Sequence, residues 1–272
     1  MTPDADLAAR FLALHRPGQP LLLPNAWDIG SARILASLNF AALATTSSGF
    51  AAGLGRPDGS VTRDEAIAHA AALTEATRMP VSADLEDGFG ADPQTVADTV
   101  RASIGAGLAG CSVEDFTRRQ DDPIYERQHA VDRVAAAAEA AHSGPGWLVL
   151  TARAENYLYG RDDLPDTIAR LQSYADAGAD VLYAPGLTRA ADIGEVVSSL
   201  DRPVNVLAMP ATPSVAELAD LGVARISVGG AFAFAAYGAL ADAARELQDA
   251  GTYGYLTHAR TGRQIIGTAF TP

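Results

Sequence analysis

The strongest constraint on the fold is a regular alternation of short apolar, β-branched runs with longer amphipathic stretches along nearly the whole chain. This alternation predicts strand–helix units that build a parallel sheet, because parallel strands need a crossover helix between them. Eight such runs occur, each followed by a helix-like segment. They span residues 21–23, 42–46, 81–85, 111–115, 148–152, 181–184, 204–208 and 226–228.

Eight units in a chain of 272 residues match the size of a closed (β/α)₈ barrel of the TIM type, an α/β fold. Periodicity alone also fits a doubly wound sheet with extra strands. Residues 1–20 predict an additional N-terminal helix that caps the bottom of the barrel, and residues 251–272 predict a C-terminal tail. Because no low-complexity linker or change of composition interrupts residues 1–272, we expect a single barrel domain.

Composition restricts the partners and the compartment. A formal net charge of −13 disfavours nucleic acid and anionic membranes, which leaves small molecules as the expected partners. No apolar stretch is long enough to span a bilayer, and the N-terminal residues lack the apolar centre of a signal peptide. The single cysteine, Cys111, fits a reducing compartment, so we expect a cytoplasmic protein.

All 20 basic residues are arginine, so the chain contains no lysine. This excludes Schiff-base aldolase chemistry, a pyridoxal-phosphate aldimine and a phosphate loop that ends in Gly-Lys. Chemistry on a carbonyl group must therefore stabilise developing negative charge with a metal, arginine or backbone amides.

Carboxylates lie at the ends of two neighbouring predicted strands, where barrels place their chemistry. Side chains alternate along a strand, so apolar Leu85 faces the helices while Asp84 and Glu86 face the barrel mouth. The same parity turns Glu114 inward and Asp115 outward. Three inward carboxylates need a cation or protons to offset their repulsion, and oxygen ligands select magnesium or manganese. Alternatively, these acids cap helices or pair with arginines on a solvated rim.

Five groups of residues between about positions 24 and 230 carry a resemblance to a known superfamily. They are Ser48-Gly49 with Leu54-Gly55-Arg56-Pro57-Asp58-Gly59, then Asp84-Leu85-Glu86-Asp87-Gly88-Phe89-Gly90, Val113-Glu114-Asp115, Thr151-Ala152-Arg153, and Ala177-Gly178-Ala179-Asp180. In content and order they resemble the isocitrate lyase and phosphoenolpyruvate mutase superfamily. The resemblance implies a homo-oligomeric barrel, a dimer or tetramer, commonly with its last helix exchanged between subunits. It also implies binding of Mg²⁺ and a 2-oxo or 2-hydroxy carboxylate.

The resemblance also implies roles for individual residues. Asp84 becomes the direct metal ligand and a substrate contact, while Asp58, Glu86 and Glu114 hold the metal's waters. Asp58 and Glu114 are also implied as catalytic residues together with Arg153, whose guanidinium would clamp the substrate carboxylate.

Further substrate contacts are implied for the segment after the second strand. Ser48, Gly49 and Phe50 would offer backbone amides and a hydroxyl to the other carboxylate oxygens. On the seventh strand, Asn205 either faces the pocket as a substrate contact or is an outward or satisfied core amide.

The sequence departs from this superfamily in one loop. Lyases of the superfamily carry a Lys-Lys-Cys-Gly-His type loop whose cysteine serves in acid–base chemistry, whereas residues 116–123 contain neither lysine nor cysteine. The lysine and asparagine that mark the mutase and phosphonopyruvate hydrolase branches are also missing. Arg118 and Arg119 either contact the substrate anion when the loop closes or are solvated. Cys111 cannot replace the loop cysteine, because its parity directs it toward the helices.

Three functions are consistent with these features. The first is a Mg²⁺-dependent lyase that cleaves a carbon–carbon bond of a 2-hydroxy or 2-oxo carboxylate through a metal-stabilised enolate. The second is phosphorus–carbon chemistry of the phosphonopyruvate mutase or hydrolase type, which the loop disfavours. The third is a 2-oxo acid binding protein with weak catalysis. A 2-oxo acid decarboxylase lies between the first and third, because it needs the enolate site and less of the loop.

Overall fold

The computed structural model describes residues 5–143 and 146–270, so the ends of the predicted N-terminal helix and C-terminal tail, residues 1–4 and 271–272, lie outside it. The described residues contain nine strands: β1 (Leu21–Leu23), β2 (Asn25–Ala26), β3 (Leu43–Thr45), β4 (Val81–Asp84), β5 (Gly110–Glu114), β6 (Val149–Arg153), β7 (Val181–Tyr183), β8 (Val204–Leu207) and β9 (Arg225–Ser227). The helices are α1 (Ala5–Ala13), α2 (Ile29–Ser37), α3 (Ser47–Gly53), α4 (Arg63–Thr77), α5 (Pro93–Gly105), α6 (Arg127–His142), α7 (Leu164–Asp176), α8 (Ala190–Ser198), α9 (Val215–Asp220), α10 (Ala231–Arg245) and α11 (Leu256–Ala269).

The strands form one parallel sheet that curls into a nearly closed barrel. Its order is β1-β9-β8-β7-β6-β5-β4-β3-β2. The two ends of this order, β1 and β2, are separated only by Pro24, so a single interrupted strand pairs with β9 on one side and β3 on the other. Each of the eight predicted runs overlaps a strand, with bounds that agree to within two residues. The predicted (β/α)₈ barrel is therefore confirmed, and the doubly wound alternative is wrong.

Local capping signals fix where several helices begin. Thr62 and Glu65 form a reciprocal capping box at the start of α4, and Ser214 and Glu217 form another at α9. Each box satisfies backbone N–H groups that a helix leaves unpaired in its first turn. Pro93 occupies the first turn of α5, where its missing N–H costs nothing.

The bottom of the barrel is filled by Phe11 of α1. Its buried ring packs with side chains near the amino ends of the strands, including Leu21, Val149 and Val181. A Cβ at Gly110 would lie 2.8 Å from the Phe11 ring, so only glycine leaves room for this contact. The main core lies between the strands and the outer helices. It includes Leu85 and Cys111, both fully buried on the helix-facing side as parity predicts.

The helix that follows the last strand is unusually exposed. Ala233 is the only buried residue of α10, whereas Phe232 and Phe234 on the same helix are 40% and 52% exposed. A helix of a barrel normally buries an apolar stripe against its own strands. The sequence predicts a C-terminal tail for residues 251–272. In the structure this segment contains the helix α11, which contacts α2. Across residues 5–143 and 146–270, no helix combines the length and apolarity needed to cross a membrane.

Candidate active site

A cavity of about 210 Å³ opens at the carboxyl ends of the strands. Its lining combines charged and polar side chains from the barrel mouth with others from the barrel interior. The polar members are Asn25, Thr45, Thr46, Ser47, Ser48, Asp58, Ser82, Asp84, Ser112, Arg153, Tyr183, Asn205, Arg225 and Ser227. This end of a barrel is where catalytic groups of the fold are found.

Arg153, the last residue of β6, lies among three carboxylates. Its Nε donates to Glu155 Oε1 at 2.8 Å, and its Nη1 donates to Asp84 Oδ1 at 3.1 Å. Its Nη2 lies 3.0 Å from Glu114 Oε2. Every nitrogen of the guanidinium thus faces an acid, which fixes its orientation through charge-assisted hydrogen bonds.

This cluster carries more negative than positive charge. With all groups ionised, three carboxylates against one guanidinium leave an excess of two negative charges. Burial raises the pKa of Glu114 well above its usual value, and burial also raises the pKa of Glu155, while Arg153 opposes both shifts. The cluster therefore attracts protons or a cation of charge two.

Asp84 is oriented from the opposite side by the start of α3. The Ser47 N–H and hydroxyl both donate to Asp84 Oδ2, at 3.0 and 2.8 Å. The Asp84 N–H donates in turn to Thr45 Oγ1 at 2.8 Å. One Asp84 oxygen thus faces Ser47 and the other faces Arg153, so this carboxylate has a fixed position at the cavity.

Glu86 lies beyond the end of β4, in a turn rather than in the strand. Its Oε2 pairs with Arg118 Nη2 at 2.7 Å, while its Oε1 is buried without a hydrogen-bond partner among the described residues. Burial raises the pKa of Glu86 to about 7. Strand parity predicts that Glu86 joins Asp84 and Glu114. Besides burial, the charge of Asp84 raises the pKa of Glu86 and the charge of Glu86 raises the pKa of Glu114, so Glu86 lies near both acids. The turn directs its Oε2 to Arg118.

Arg118 connects three loops at the barrel mouth. Besides Glu86, it donates through Nε to Asp87 Oδ1 at 2.8 Å and through Nη1 to the Gly59 carbonyl at 3.2 Å. In this structure the Arg118 guanidinium is ion-paired within the protein, and 35% of the side chain is exposed. Arg119 is solvated and pairs with exposed Asp121 at 3.0 Å.

Backbone strain is concentrated in the two loops that Arg118 and Glu86 join at the barrel mouth. Glu86, Phe89 and Arg118 have φ angles of 50°, 64° and 62°, in the left-handed region that side chains with a Cβ rarely adopt. The buried guanidinium of Arg133 holds the first of these turns by donating to the backbone carbonyls of Asp87, Gly90 and Glu114. Strained residues that persist in a well-packed setting occur frequently at functional sites.

The predicted amide contacts after β3 are only partly supported. Ser48 lines the cavity, with its Oγ 3.1 Å from Thr46 Oγ1. The Gly49 N–H donates to Thr46 Oγ1 at 3.2 Å, and the Phe50 N–H donates to the Thr46 carbonyl at 3.0 Å. Both amides are used within the first turn of α3, and the Phe50 ring stacks on His69 with centroids 3.8 Å apart. The structure therefore does not bring Gly49 and Phe50 to the cavity lining.

Asp58 and Asn205 both line the cavity, at opposite depths. Asp58 lies at the exposed rim, where enclosure by the surrounding protein and the negative charge of Asp84 raise its pKa. Asn205 is buried inside the barrel, with Oδ1 accepting from Arg225 Nε at 2.8 Å and Nδ2 donating to Ser227 Oγ at 3.0 Å. Asn205 is thus an inward-facing amide that is already hydrogen-bonded.

Sequence reasoning assigned no role to three residues of this site: Glu155, Tyr183 and Arg225. Strand alternation continued from Arg153 places Glu155 on the inward side, although it follows the strand end. The Tyr183 ring lies 5.2 Å from the Arg153 guanidinium and lines the cavity. Arg225 lies one residue before the predicted eighth run. A charged residue next to a strand of apolar character is the signal that could have found it.

The donor set fits a hydrated hard cation. Within the described residues, no group of three or more His, Cys, Asp or Glu side chains is assembled as a metal cage. Mg²⁺ does not need one, because it keeps several waters and uses one or two carboxylates. The excess negative charge and the partnerless Glu86 Oε1 both favour such an ion beside Asp84.

An α/β barrel with acids and an arginine at the carboxyl ends of its strands has the site layout of the barrel enzymes. The chain belongs to the phosphoenolpyruvate phosphomutase family, whose sequence model matches residues 11–248. Its homologues are enzymes of the isocitrate lyase and phosphoenolpyruvate mutase superfamily, which confirms the resemblance found in the sequence.

Individual relatives cover most of the chain. An uncharacterised protein of Mycobacterium tuberculosis (strain ATCC 25618 / H37Rv) is 36% identical over 243 residues, covering 88% of this chain and 89% of its own. The 2-methylisocitrate lyase of Escherichia coli (strain K12) is 28% identical over 222 residues, or 74% of each chain. A crystal structure of a candidate lyase/mutase from Burkholderia cenocepacia J2315 is 51% identical, covers 98% of both chains and has a TM-score of 0.95.

Proposed function

We propose that this protein is a Mg²⁺-dependent lyase that cleaves a carbon–carbon bond of a 2-hydroxy or 2-oxo carboxylate through an enolate. The observation that carries the proposal is the pair formed by Asp84 and Arg153 at one cavity, an oxygen ligand beside a carboxylate-binding guanidinium. Homologues act on small carboxylates, and superfamily members generally use a divalent metal.

In this proposal Asp84 is the direct ligand, and Asp58, Glu86 and Glu114 hold the ion's waters. When bound, the cation supplies Lewis-acid stabilisation of the negative charge that develops on the substrate oxygens. Glu155 holds the Arg153 Nε. Each Nη carries two N–H groups, so the two that Asp84 and Glu114 leave over serve a substrate carboxylate. Ser47 fixes the Asp84 carboxylate and prevents it from rotating away.

Two loops reduce water access to the cavity. Leu158 lies in the 3₁₀ turn Asn156–Tyr159 and lines the cavity, and the neighbouring Tyr159 ring stacks on Phe116 with centroids 4.2 Å apart. Phe116 belongs to the loop that differs from the lyases. Exclusion of water strengthens electrostatic interactions with the developing charge and protects a reactive intermediate.

A 2-oxo acid decarboxylase is the second candidate. Arg118 is held by Glu86 and Asp87, so the loop that supplies acid–base groups in lyases has no free titratable donor at this position. Decarboxylation needs the carboxylate and cation sites and less of that loop. The phosphonopyruvate mutase or hydrolase reaction and a binding protein with weak catalysis are the remaining alternatives.

A substrate panel separates these reactions. Isocitrate, 2-methylisocitrate, 2,3-dimethylmalate, oxaloacetate and phosphonopyruvate are each incubated with Mg²⁺, and release of pyruvate, glyoxylate, CO₂ or phosphate is measured. We expect carbon–carbon cleavage of at least one substrate, abolished by EDTA and reduced at least about 100-fold in Asp84→Asn, because the main ligand is lost. Turnover that survives both treatments contradicts the proposal, and no turnover of any substrate favours the binding protein.

We also propose that the protein is a homo-oligomer in which the last helices pack on a partner subunit. The support is the set of large apolar side chains that α10 leaves exposed, Phe232, Phe234 and Leu240. Several exposed apolar side chains on one helix are typical of protein–protein contacts.

A further inference from the structure

A row of polar side chains crosses the inside of the barrel. In the strand register Glu114 lies beside Arg153, Arg153 beside Tyr183, Tyr183 beside Asn205, and Asn205 beside Arg225. The first three residues end their strands, whereas Arg225 begins β9. The row therefore descends from the barrel mouth to its floor. Barrel interiors are usually filled by branched apolar side chains, so this row is unusual.

Arg225, at the lower end of the row, is a buried cation with neutral partners. Its Nε donates to Asn205 Oδ1 at 2.8 Å, its Nη2 donates to Thr151 Oγ1 at 3.1 Å, and its Nη1 lies 3.2 Å from His15 Nε2. Only 3% of Arg225 is exposed, and its side-chain partners among the described residues are Asn205, Thr151 and His15 rather than an acid. Charged side chains are almost never this buried without a paired charge.

The neighbouring His15 does not compensate the positive charge of Arg225. Burial, together with the Arg225 charge, lowers the pKa of His15 to about 3, so the imidazole is neutral at physiological pH. His15 Nδ1 faces the Phe11 carbonyl at 3.0 Å, which leaves Nε2 as the acceptor for Arg225. The imidazole thus supplies a hydrogen bond and no charge.

The guanidinium also has donors to spare and a space to use them in. Arginine carries five N–H groups, and the three contacts above account for three of them. Arg225 lines the same cavity as Asp84 and Arg153. The cavity volume of about 210 Å³ equals roughly seven water volumes, enough for a chain of four carbons with a carboxylate at each end.

We propose that Arg225 is an anion subsite at the cavity floor that takes a second carboxylate of the substrate. The 2-oxo carboxylate meets the guanidinium of Arg153, and the distal carboxylate meets the Nη groups of Arg225. The substrate class is therefore a 2-oxo or 2-hydroxy dicarboxylate rather than a monocarboxylate. This inference rests on the proposed function, because it assumes that the first carboxylate binds at the mouth.

The competing explanation is structural: Arg225 would only fasten the N-terminal segment to the barrel through His15. The two explanations differ in ligand selectivity. A fastening role affects all ligands alike through general stability. An anion subsite affects only ligands that carry the distal charge, because the free guanidinium donors are paired only in their complexes.

The test uses matched ligand pairs that differ only at the distal group. Oxaloacetate is compared with 2-oxobutanoate, and 2-oxoglutarate with 2-oxopentanoate, so that a carboxylate is replaced by a methyl group. Dissociation constants are measured by calorimetry with Mg²⁺ for the wild type, Arg225→Gln and Arg225→Lys. His15→Gln is the matched control, since it removes a buried partner of Arg225 that does not line the cavity.

We expect the wild type to bind the dicarboxylate of at least one pair 10-fold or more tightly than its partner. Arg225→Gln should weaken dicarboxylate binding 10- to 100-fold and monocarboxylate binding less than 3-fold. Arg225→Lys should retain part of the preference, and His15→Gln all of it. Equal weakening of both ligands, or no change in the ratio, overturns the subsite.

Binding of the ligand pairs to the wild type alone also tests the subsite, and it does not depend on a variant that folds. Wild-type protein that binds both members of each pair equally with Mg²⁺ refutes the Arg225 subsite and leaves the proposed function standing. Wild-type protein that binds neither member with Mg²⁺ refutes both.

Discussion

Replacing Arg153 by glutamine tests whether this guanidinium neutralises the acids at the barrel mouth. In the structure Arg153 contacts Asp84, Glu114 and Glu155 at 2.8 to 3.1 Å, and its own side chain is 14% exposed. Removing one partner of a buried ion pair leaves an uncompensated charge and costs about 3–5 kcal/mol. We therefore expect Arg153→Gln to lower the free energy of unfolding by about this amount at pH 8 in EDTA.

The same variant should depend strongly on pH. Burial raises the pKa values of Glu114 and Glu155, and the Arg153 charge opposes this rise. Loss of that charge raises both values further, so the folded-state pKa values lie above the unfolded ones. For such groups, stability is present at low pH and is lost as pH rises. Each pKa unit corresponds to about 1.4 kcal/mol, so the deficit of the variant should shrink by about 1–3 kcal/mol between pH 8 and pH 6.

Urea denaturation at the two pH values, read by circular dichroism, measures both effects. The double variant Arg153→Gln with Glu155→Gln should regain part of the lost stability at pH 8, because one buried charge is removed with its partner. A loss below about 1 kcal/mol at pH 8, or an equal loss at both pH values, refutes the reasoning.

Three further predictions concern other parts of the molecule. The wild type should lose about 2 kcal/mol of unfolding free energy between pH 7.5 and 5, because His15 takes up a proton in the unfolded state but stays neutral in the folded state, where its pKa is about 3. His15→Gln should remove this loss. Identical pH dependence of urea unfolding in the two proteins contradicts the prediction. Aspartate at both Phe232 and Phe234 should lower the oligomeric state measured by light scattering after gel filtration, and a monomeric wild type contradicts the proposed assembly. Arg118→Ala should speed proteolytic cleavage within residues 116–125 several-fold, because the loop loses its ion pair with Glu86. Arg119→Ala should not speed cleavage, because it loses only an exposed ion pair. Equal cleavage rates in the two variants show that Arg118 does not hold the loop.

The architecture was predictable from the sequence because its determinants are local and repeated. Each apolar run overlaps a strand, and the alternation of side chains correctly separated inward Asp84 from helix-facing Leu85. Asp115 also faces outward as expected, where its Oδ2 accepts from the Tyr174 hydroxyl at 2.6 Å. Periodicity identifies such positions because a one-residue shift would expose the whole core face.

The site was predicted less completely, because its details depend on turns and on pairing across the barrel. The left-handed φ of Glu86 breaks strand alternation, which assumes a regular extended chain. Arg118 reaches Glu86 across 32 positions of sequence, and nothing local specifies such a pair. Ser47–Gly53 is a helix rather than a loop, so the amides of Gly49 and Phe50 are used internally.

The polar row inside the barrel escaped prediction for a related reason. Tyr183 and Arg225 face inward by parity, but an inward residue is recognised as functional only when its neighbours on adjacent strands are known. The parallel register that joins Tyr183 through Asn205 to Arg225 is a property of the closed sheet. A sequence pattern read strand by strand does not contain it.

The most direct test of the central claim is Mg²⁺-dependent binding of a 2-oxo acid measured by calorimetry. Oxaloacetate or 2-oxoglutarate is titrated into the wild type, Asp84→Ala and Asp64→Ala, the last being a matched loss of an exposed carboxylate. The account predicts binding by the wild type and Asp64→Ala with Mg²⁺, no binding in EDTA, and no binding by Asp84→Ala. Unchanged affinity in Asp84→Ala contradicts it.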